Sequence, residues 1–327
     1  MVVPALWAQP RLEKTRISIA VGGKAAFDYL PLTIAEQLGY FRAEGLEVEI
    51  SDFASDALAL QVGASGAANV VSGAYEHTIS LQSKGQKFQA FVLQGRAPAI
   101  AMGISPKAVP DYQSVADLKG KRIGISALGS STHTVANLIL SRAGLEVGHV
   151  RFIGVGTAAG ALSALRSGQI DVMCNVEPVI TMLEQKGELR IIADTRTLKG
   201  MLDVFGGPMP AACLYAPLEF IQKNPKTVQA IAYAMAHSLK WLQTAGPSDI
   251  IKTVPEGHLL GDRALYLAAF NKVREAISPD GMMPDGGPRN AARVLARFDP
   301  TIKVDKIELS KTYTNEFASV AKERFKA

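Results

Sequence analysis

One strand-and-helix pattern is written twice across the first two-thirds of this 327-residue chain, and that repetition limits the fold more than any single motif does. Arg16-Ile17-Ser18-Ile19 returns 106 residues on as Arg122-Ile123-Gly124-Ile125, and Gly45-Leu46-Glu47-Val48 returns 99 residues on as Gly144-Leu145-Glu146-Val147. Ser65-Gly66-Ala67-Ala68-Asn69-Val70 pairs with Ser167-Gly168-Gln169-Ile170-Asp171-Val172, and Lys84-Gly85 with Lys186-Gly187, both at an offset of 102. Four matches in one order, spaced far wider than a solenoid repeat, predict two similar α/β lobes. Paired lobes leave a cleft, and clefts between domains are where small molecules bind.

The chain is long enough for two domains that each bury a core. With 48% hydrophobic and 20% charged residues, and no apolar run long enough to span a bilayer, it reads as a globular protein that does not cross a membrane. The 35 basic residues are interspersed with 30 acidic ones, so the net charge of +5 makes no patch for nucleic acid. Cys174 and Cys213 make no disulfide framework, and each lies in an apolar stretch, as buried free thiols do. Met1 to Ala8 is apolar and ends in a small residue, like the tail of a secretory signal that lacks its basic start; an ordinary frayed terminus reads the same way.

Residues 16–21 alternate like a strand and run into Gly22-Gly23; a helix with Leu30, Ile34, Leu38 and Phe41 on one face follows, then a strand at 47–50. Helices at 57–62 and 76–82 separate strands at 68–71 and 88–93. The second unit opens with a short helix at 114–120. It has strands at 122–126, 150–155, 170–175 and 190–193, with helices at 131–143, 158–166 and 178–185 between them. Such alternation predicts mostly parallel sheets flanked by helices. From Pro225 onward the pattern is helical, with one stripe at Val228, Ile231, Ala232, Met235, Leu239 and Leu242 and another at Leu265, Leu267, Phe270 and Val273. Gly95 to Ser105 and Phe205 to Ala216 mix extended apolar residues with Gly and Pro, which makes them the natural crossings. Lobe one is then 1–98 joined by 210–327, and lobe two is 99–209.

Gly124-Ile125-Ser126-Ala127-Leu128-Gly129-Ser130-Ser131 has the spacing of a phosphate-cradling loop, but Ser130 stands where the lysine would be, so nucleotide hydrolysis is not expected. What remains is a glycine turn that brings Ser130, Ser131 and Thr132 to a helix start, where free N–H groups favour an anion. Helix capping by Ser130 or Ser131 is the plain alternative, and the two roles are compatible. Gly154-Val155-Gly156-Thr157-Ala158-Ala159 fits a dinucleotide fingerprint but follows the wrong strand of its unit. His77, His133, His149, His237 and His258 offer no zinc spacing, and no nucleophile elbow is present, so neither a metal, a cofactor nor a catalytic set is expected.

Several segments carry a family resemblance over nearly the whole chain. Tyr29-Leu30-Pro31-Leu32-Thr33-Ile34-Ala35-Glu36-Gln37-Leu38-Gly39-Tyr40-Phe41, followed by Glu44-Gly45-Leu46-Glu47-Val48, resembles the opening of the solute-binding proteins of nitrate, sulfonate and taurine ABC importers. Asp117-Leu118-Lys119-Gly120-Lys121-Arg122-Ile123-Gly124, Gly129 through His133, Ala164 through Asp171 and Glu177-Pro178 keep that family's order, and Ser278 to Pro284 and Thr312 to Phe317 are similar to its tail. The resemblance implies a two-lobe type II periplasmic binding fold and an extracytoplasmic monomer that delivers a small organic anion, such as a sulfonate or carboxylate, to a membrane permease. Residues up to about Ala8 then stand as a signal-peptide remnant. Pyrimidine-precursor synthases share the broad superfamily, but their cysteine-rich motif is missing here.

Loop-end positions give the expected ligand contacts: Gly22, Gly23, Lys24 and Phe27 after the first strand, Ser72, Gly73 and Tyr75 after the third, Ser130, Ser131 and Thr132 in lobe two, and Asn175 with Glu177. The offset of 102 sets Ser72, Gly73 and Tyr75 opposite Cys174, Asn175 and Glu177. Phe27 and Tyr29 can equally be core, and Lys24 can be solvated. A carboxylate at Glu177 would repel an anion, so it is expected either to pair with a base such as Lys24 or to accept a hydrogen bond from a ligand hydroxyl or amine, the latter preferred. An enzyme on the same fold, a small-carboxylate lyase or a pyrimidine-precursor synthase, is the alternative, with Glu177 or His133 as its acid or base.

Overall fold

The structure is a computed structural model describing residues 11–326, so the stretch from Met1 to Ala8 lies outside the described residues. Ten strands follow one another along the chain: β1 (Arg16–Gly22), β2 (Glu47–Phe53), β3 (Val70–Ala74), β4 (Phe88–Leu93), β5 (Ile100–Ile104), β6 (Arg122–Ile125), β7 (Arg151–Gly154), β8 (Val172–Val176), β9 (Arg190–Asp194) and β10 (Ala212–Pro217). They make two five-stranded sheets, ordered β2-β1-β3-β10-β4 and β7-β6-β8-β5-β9. The repeat in the sequence is thus a repeat in topology. In each sheet the fourth place is taken by the strand that crosses over from the other, and it runs antiparallel to both neighbours, whereas β1 and β6 pair in parallel. This is the mostly parallel, helix-flanked pair of sheets that the strand and helix alternation predicts.

Strands buried on both faces read as near-continuous apolar runs, and β3, β5 and β8 are buried at every position. The first predicted helix is interrupted. It runs Leu30–Gln37, then Gly39 turns left-handed at φ 72° and a single turn, Tyr40–Ala43, follows. Glycine takes that conformation without steric cost, so the turn re-aims Phe41 into the core and leaves Leu38 38% exposed. The long tail helix Pro225–Thr244 buries Val228, Ile231, Ala232, Met235, Leu239 and Leu242 against Leu30–Gln37, and the Ser238 hydroxyl donates to the Pro31 carbonyl. Helix Arg263–Val273 differs from its predicted stripe: Tyr266, Ala269, Phe270 and Val273 are buried, while Leu265 and Leu267 are half-buried. It packs on helix Val179–Gln185 beside the second sheet, and so part of the tail touches both halves.

Candidate functional site

Parallel strands deliver their following loops to one edge of a sheet, and the two sheets here turn those edges toward each other. The cavity between them is lined from both sides. Gly22, Ala26, Asp28 and Tyr29 follow β1, Asp56 follows β2, and Ala74 and Glu76 stand at the end of β3; opposite them are Ser126, Ser131, Thr132 and Val135 after β6, Thr157 after β7 and Val176 at the end of β8. Pro98, Met209, Ala211 and Ala212, in the two crossings, complete the lining. The enclosed volume is about 30 Å³, room for two or three waters or a few heavy atoms.

The two halves touch directly around it. The Ser131 N–H donates to Asp56 Oδ2 at 3.1 Å, and the Phe27 N–H donates to the Glu177 carbonyl at 3.2 Å. Gly23, left-handed at φ 84°, lies so close to Thr157 that a Cβ on it would stand 2.1 Å from the Thr157 hydroxyl. Helix Ser131–Arg142 begins as expected from its sequence: Ser130 has extended backbone and its hydroxyl accepts from the His133 N–H, while Thr132 Oγ1 accepts from the Ser126 N–H at 2.9 Å. Ser130 is therefore a cap, fully buried, and Ser131 and Thr132 face the cavity.

Three of the expected contacts, Gly22, Ser131 and Thr132, lie in the cavity wall; the others point elsewhere for identifiable reasons. Lys24 pairs with Glu36. Phe27 packs at a tilt against Tyr266, ring centroids 4.6 Å apart, and edge-on against Phe270, which makes it core. Ser72 accepts from the Gln94 amide within the sheet, Gly73 lies against Tyr215, and the Tyr75 hydroxyl bonds Thr312 of the tail at 2.6 Å. Asn175 donates to the Gly156 carbonyl. Side chains alternate along a strand, and Ala74 with Val176, also 102 apart, are the repeat pair that reaches the cavity.

Glu177 corrects both expected roles. It is fully buried, its Oε1 accepts from Arg196 at 2.8 Å and from the Thr181 hydroxyl at 2.7 Å, and its Oε2 accepts from the Thr181 N–H. Its charged partner is Arg196, whereas Lys24 pairs with Glu36. His133 accepts from the Gly129 N–H, packs edge-on against Phe152 and is not part of the wall, so neither candidate acid or base reaches the cavity.

Asp28, Asp56 and Glu76 were missed by motif reading, since each is a lone carboxylate in a different segment. Together they give the wall three acids, and no lysine or arginine lines it among the described residues. Burial pushes the Asp28 carboxyl up to about 8, with Asp56 and Glu177 adding to it, and burial pushes Glu76 to about 8, with Asp56 and Asp28 adding. His77, 3.9 Å from Asp56, is itself pushed down by burial and so supplies no reliable positive charge. The helix start expected to hold an anion already holds the Asp56 carboxylate. An organic anion therefore meets the Asp56 carboxylate here and no lysine or arginine counter-charge in the wall among the described residues.

A pH dependence follows. Both carboxyls bind protons more tightly folded than unfolded, so their contribution is fully present below their ordinary values of 3.8 and 4.5 and is lost as pH rises toward 8. Denaturant titrations at pH 5, 6, 7 and 8 should show stability falling by up to ~1.4 kcal/mol per pH unit per group. Asp28→Asn and Glu76→Gln should each flatten the slope; a wild-type profile level across this range would contradict the burial of two uncharged acids.

A family model described as NMT1/THI5 like matches residues 26–246. Among solved structures, one from Bordetella bronchiseptica RB50 is 52% identical, covers 97% of this chain and 100% of its own, and superposes with a TM-score of 0.95. The alkanesulfonate-binding protein SsuA from Xanthomonas axonopodis pv. citri, bound to MOPS, has a TM-score of 0.70 at 17% identity, covering 93% of this chain and 100% of that one. The periplasmic nitrate-binding protein NrtA from Synechocystis PCC 6803 has a TM-score of 0.66 at 15% identity, covering 96% and 89%. These two share the fold. A Brucella abortus (strain 2308) protein, provisionally described as a binding protein, is 26% identical over 164 residues, 48% of each chain, so this chain spans about half the length of the curated relatives it matches.

Proposed function

We propose that this chain, which belongs to the NMT1/THI5-like family, is an extracytoplasmic solute-binding protein that captures one small molecule between its two sheets, releases it unchanged and delivers it to an ABC permease. The observation that carries this reading is a cavity walled from both halves by the loops after six parallel strands. A ligand there touches both halves at once and so favours the closed arrangement over an open one. The division that suits this motion is 1–98 with 210–327 against 99–209. A ligand-binding component of an ABC-type import system from Staphylococcus aureus has the same fold, which supports delivery to an importer, and no described helix is long and apolar enough to cross a membrane. A monomer suffices for the task, since the wall is complete within one chain.

A ligand present at about 100 times its Kd should stabilise the fold by roughly 2.7 kcal/mol, which raises Tm by about 5–10 °C for a domain of ordinary size. A thermal-shift screen of small polar compounds, with mass spectrometry of every hit after incubation, tests this. Recovery of the hits unchanged is the expected result; steady conversion to a product would make the protein an enzyme.

A further inference from the structure

The charge of the cavity wall points to a ligand class. Glu76 is 4% exposed and lies in the wall, yet its carboxylate meets no hydrogen-bond donor other than its own backbone N–H among the described residues. Asp28 Oδ2 is buried with no hydrogen-bond partner among the described residues. A buried acceptor without a donor is costly, and cores leave few of them. Asp28 Oδ2 is such an acceptor, and beside it in the cavity walled by both halves stand Glu76, with no side-chain partner, and Asp56. Asp56 is partly satisfied, by the Ala57 and Ser131 N–H groups, and its remaining lone pairs face the same space. The hydroxyls of Ser126, Ser131, Thr132 and Thr157 around the rim add further acceptors.

Resting on the solute-capture reading above, we infer that the cavity takes a small organic cation with several N–H donors, of amidinium, guanidinium or primary ammonium type, held by Asp28, Asp56 and Glu76. Planar N–H forks match carboxylates in pairs, and charge-assisted bonds of this kind are the strong ones. The cavity volume of about 30 Å³ suits a cation of a few heavy atoms better than a long polyamine. Filling the wall with a positive charge removes the reason for Asp28 and Glu76 to stay protonated, so each should release its proton as the cation enters.

The test is isothermal titration of the full chain at pH 7 with guanidinium, acetamidinium and methylammonium chloride, and with sodium methanesulfonate, nitrate and acetate, each in two buffers of different ionisation enthalpy. At least one cation is expected to bind with net proton release, and no anion should compete with it. Glu76→Gln and Asp28→Asn should weaken that cation about ten- to a hundredfold. Both replacements remove a buried charge site without changing shape, and their unligated melting curves report whether the fold is kept. Binding of an anion with proton uptake, or cation binding untouched by either replacement, would overturn the cation class while leaving solute capture standing. Failure of all three cations at 10 mM would overturn it too. Chemical conversion of a bound cation would instead remove the capture reading itself.

Discussion

Arg196→Ala should cost about 3–5 kcal/mol of stability, the largest loss expected of any single charged residue in this chain. Arg196 is 3% exposed and holds three carboxylates: Glu177 at 2.8 Å, Glu184 at 2.9 Å and Asp194 at 2.6 Å. Lys272 of the tail joins the same cluster through Glu184 at 2.7 Å. Removing the guanidinium strands Glu177, which is fully buried and would keep only the two donations from Thr181. Most of the cost is that stranded charge rather than the pair itself, so Arg196→Met combined with Glu177→Gln should recover much of the loss. Equilibrium denaturation of the two variants decides the matter. A single-variant loss under about 1 kcal/mol would mean that water reaches Glu177 and the pair is effectively a surface one.

Gly22→Ala should be nearly as damaging, although it adds one methyl group. A Cβ at Gly22 would stand 2.0 Å from the Asp56 backbone nitrogen and 2.1 Å from the Ser55 carbonyl carbon, and backbone cannot rotate aside as a side chain does. The end of β1 or the start of helix Asp56–Ala64 must shift, at about 1–3 kcal/mol or more. The shift also moves the Asp56 carboxylate off the Ser131 N–H, which joins the two halves. Denaturation midpoint together with cation titration checks both consequences. A variant with wild-type stability would show that the β1 loop is looser than its contacts imply.

The architecture was legible because it is periodic: the alternation of strand and helix, together with a repeat offset, is enough to set down two sheets of one design. Even the crossing segments could be read as extended, from their apolar residues between Gly and Pro. The site was less legible. Ser131 and Thr132 follow from the physics of a helix start, but Ser72, Gly73, Tyr75, Asn175 and Glu177 were chosen from the right loops at positions whose side chains serve the core. The same offset applied to Ala74 and Val176 finds residues of the cavity wall, yet an alanine and a valine carry no chemical signal. Asp28, Asp56 and Glu76 could not be joined by any spacing rule, because they meet only through the pairing of β1 with β2 and β3. The expected anion rests on the family resemblance and on a helix start considered alone; what that start faces is decided by Asp56, 75 residues earlier in the chain.

The strand exchange between the sheets also sets an order in time. Every strand of the second sheet lies between residues 100 and 194, so that sheet can be completed as soon as this stretch has been synthesised. The first sheet cannot. Among the named strands its edge strand β4 pairs with β10 alone, and β10 must enter between β3 and β4 from residues 212–217. Domains fold as units while the chain emerges from its N-terminus, and here β3, buried throughout in the finished protein, is left as an open apolar edge for well over a hundred residues of synthesis. During that interval the nascent chain carries one sheet whose strands are all present and one whose inner strand edge is unpaired.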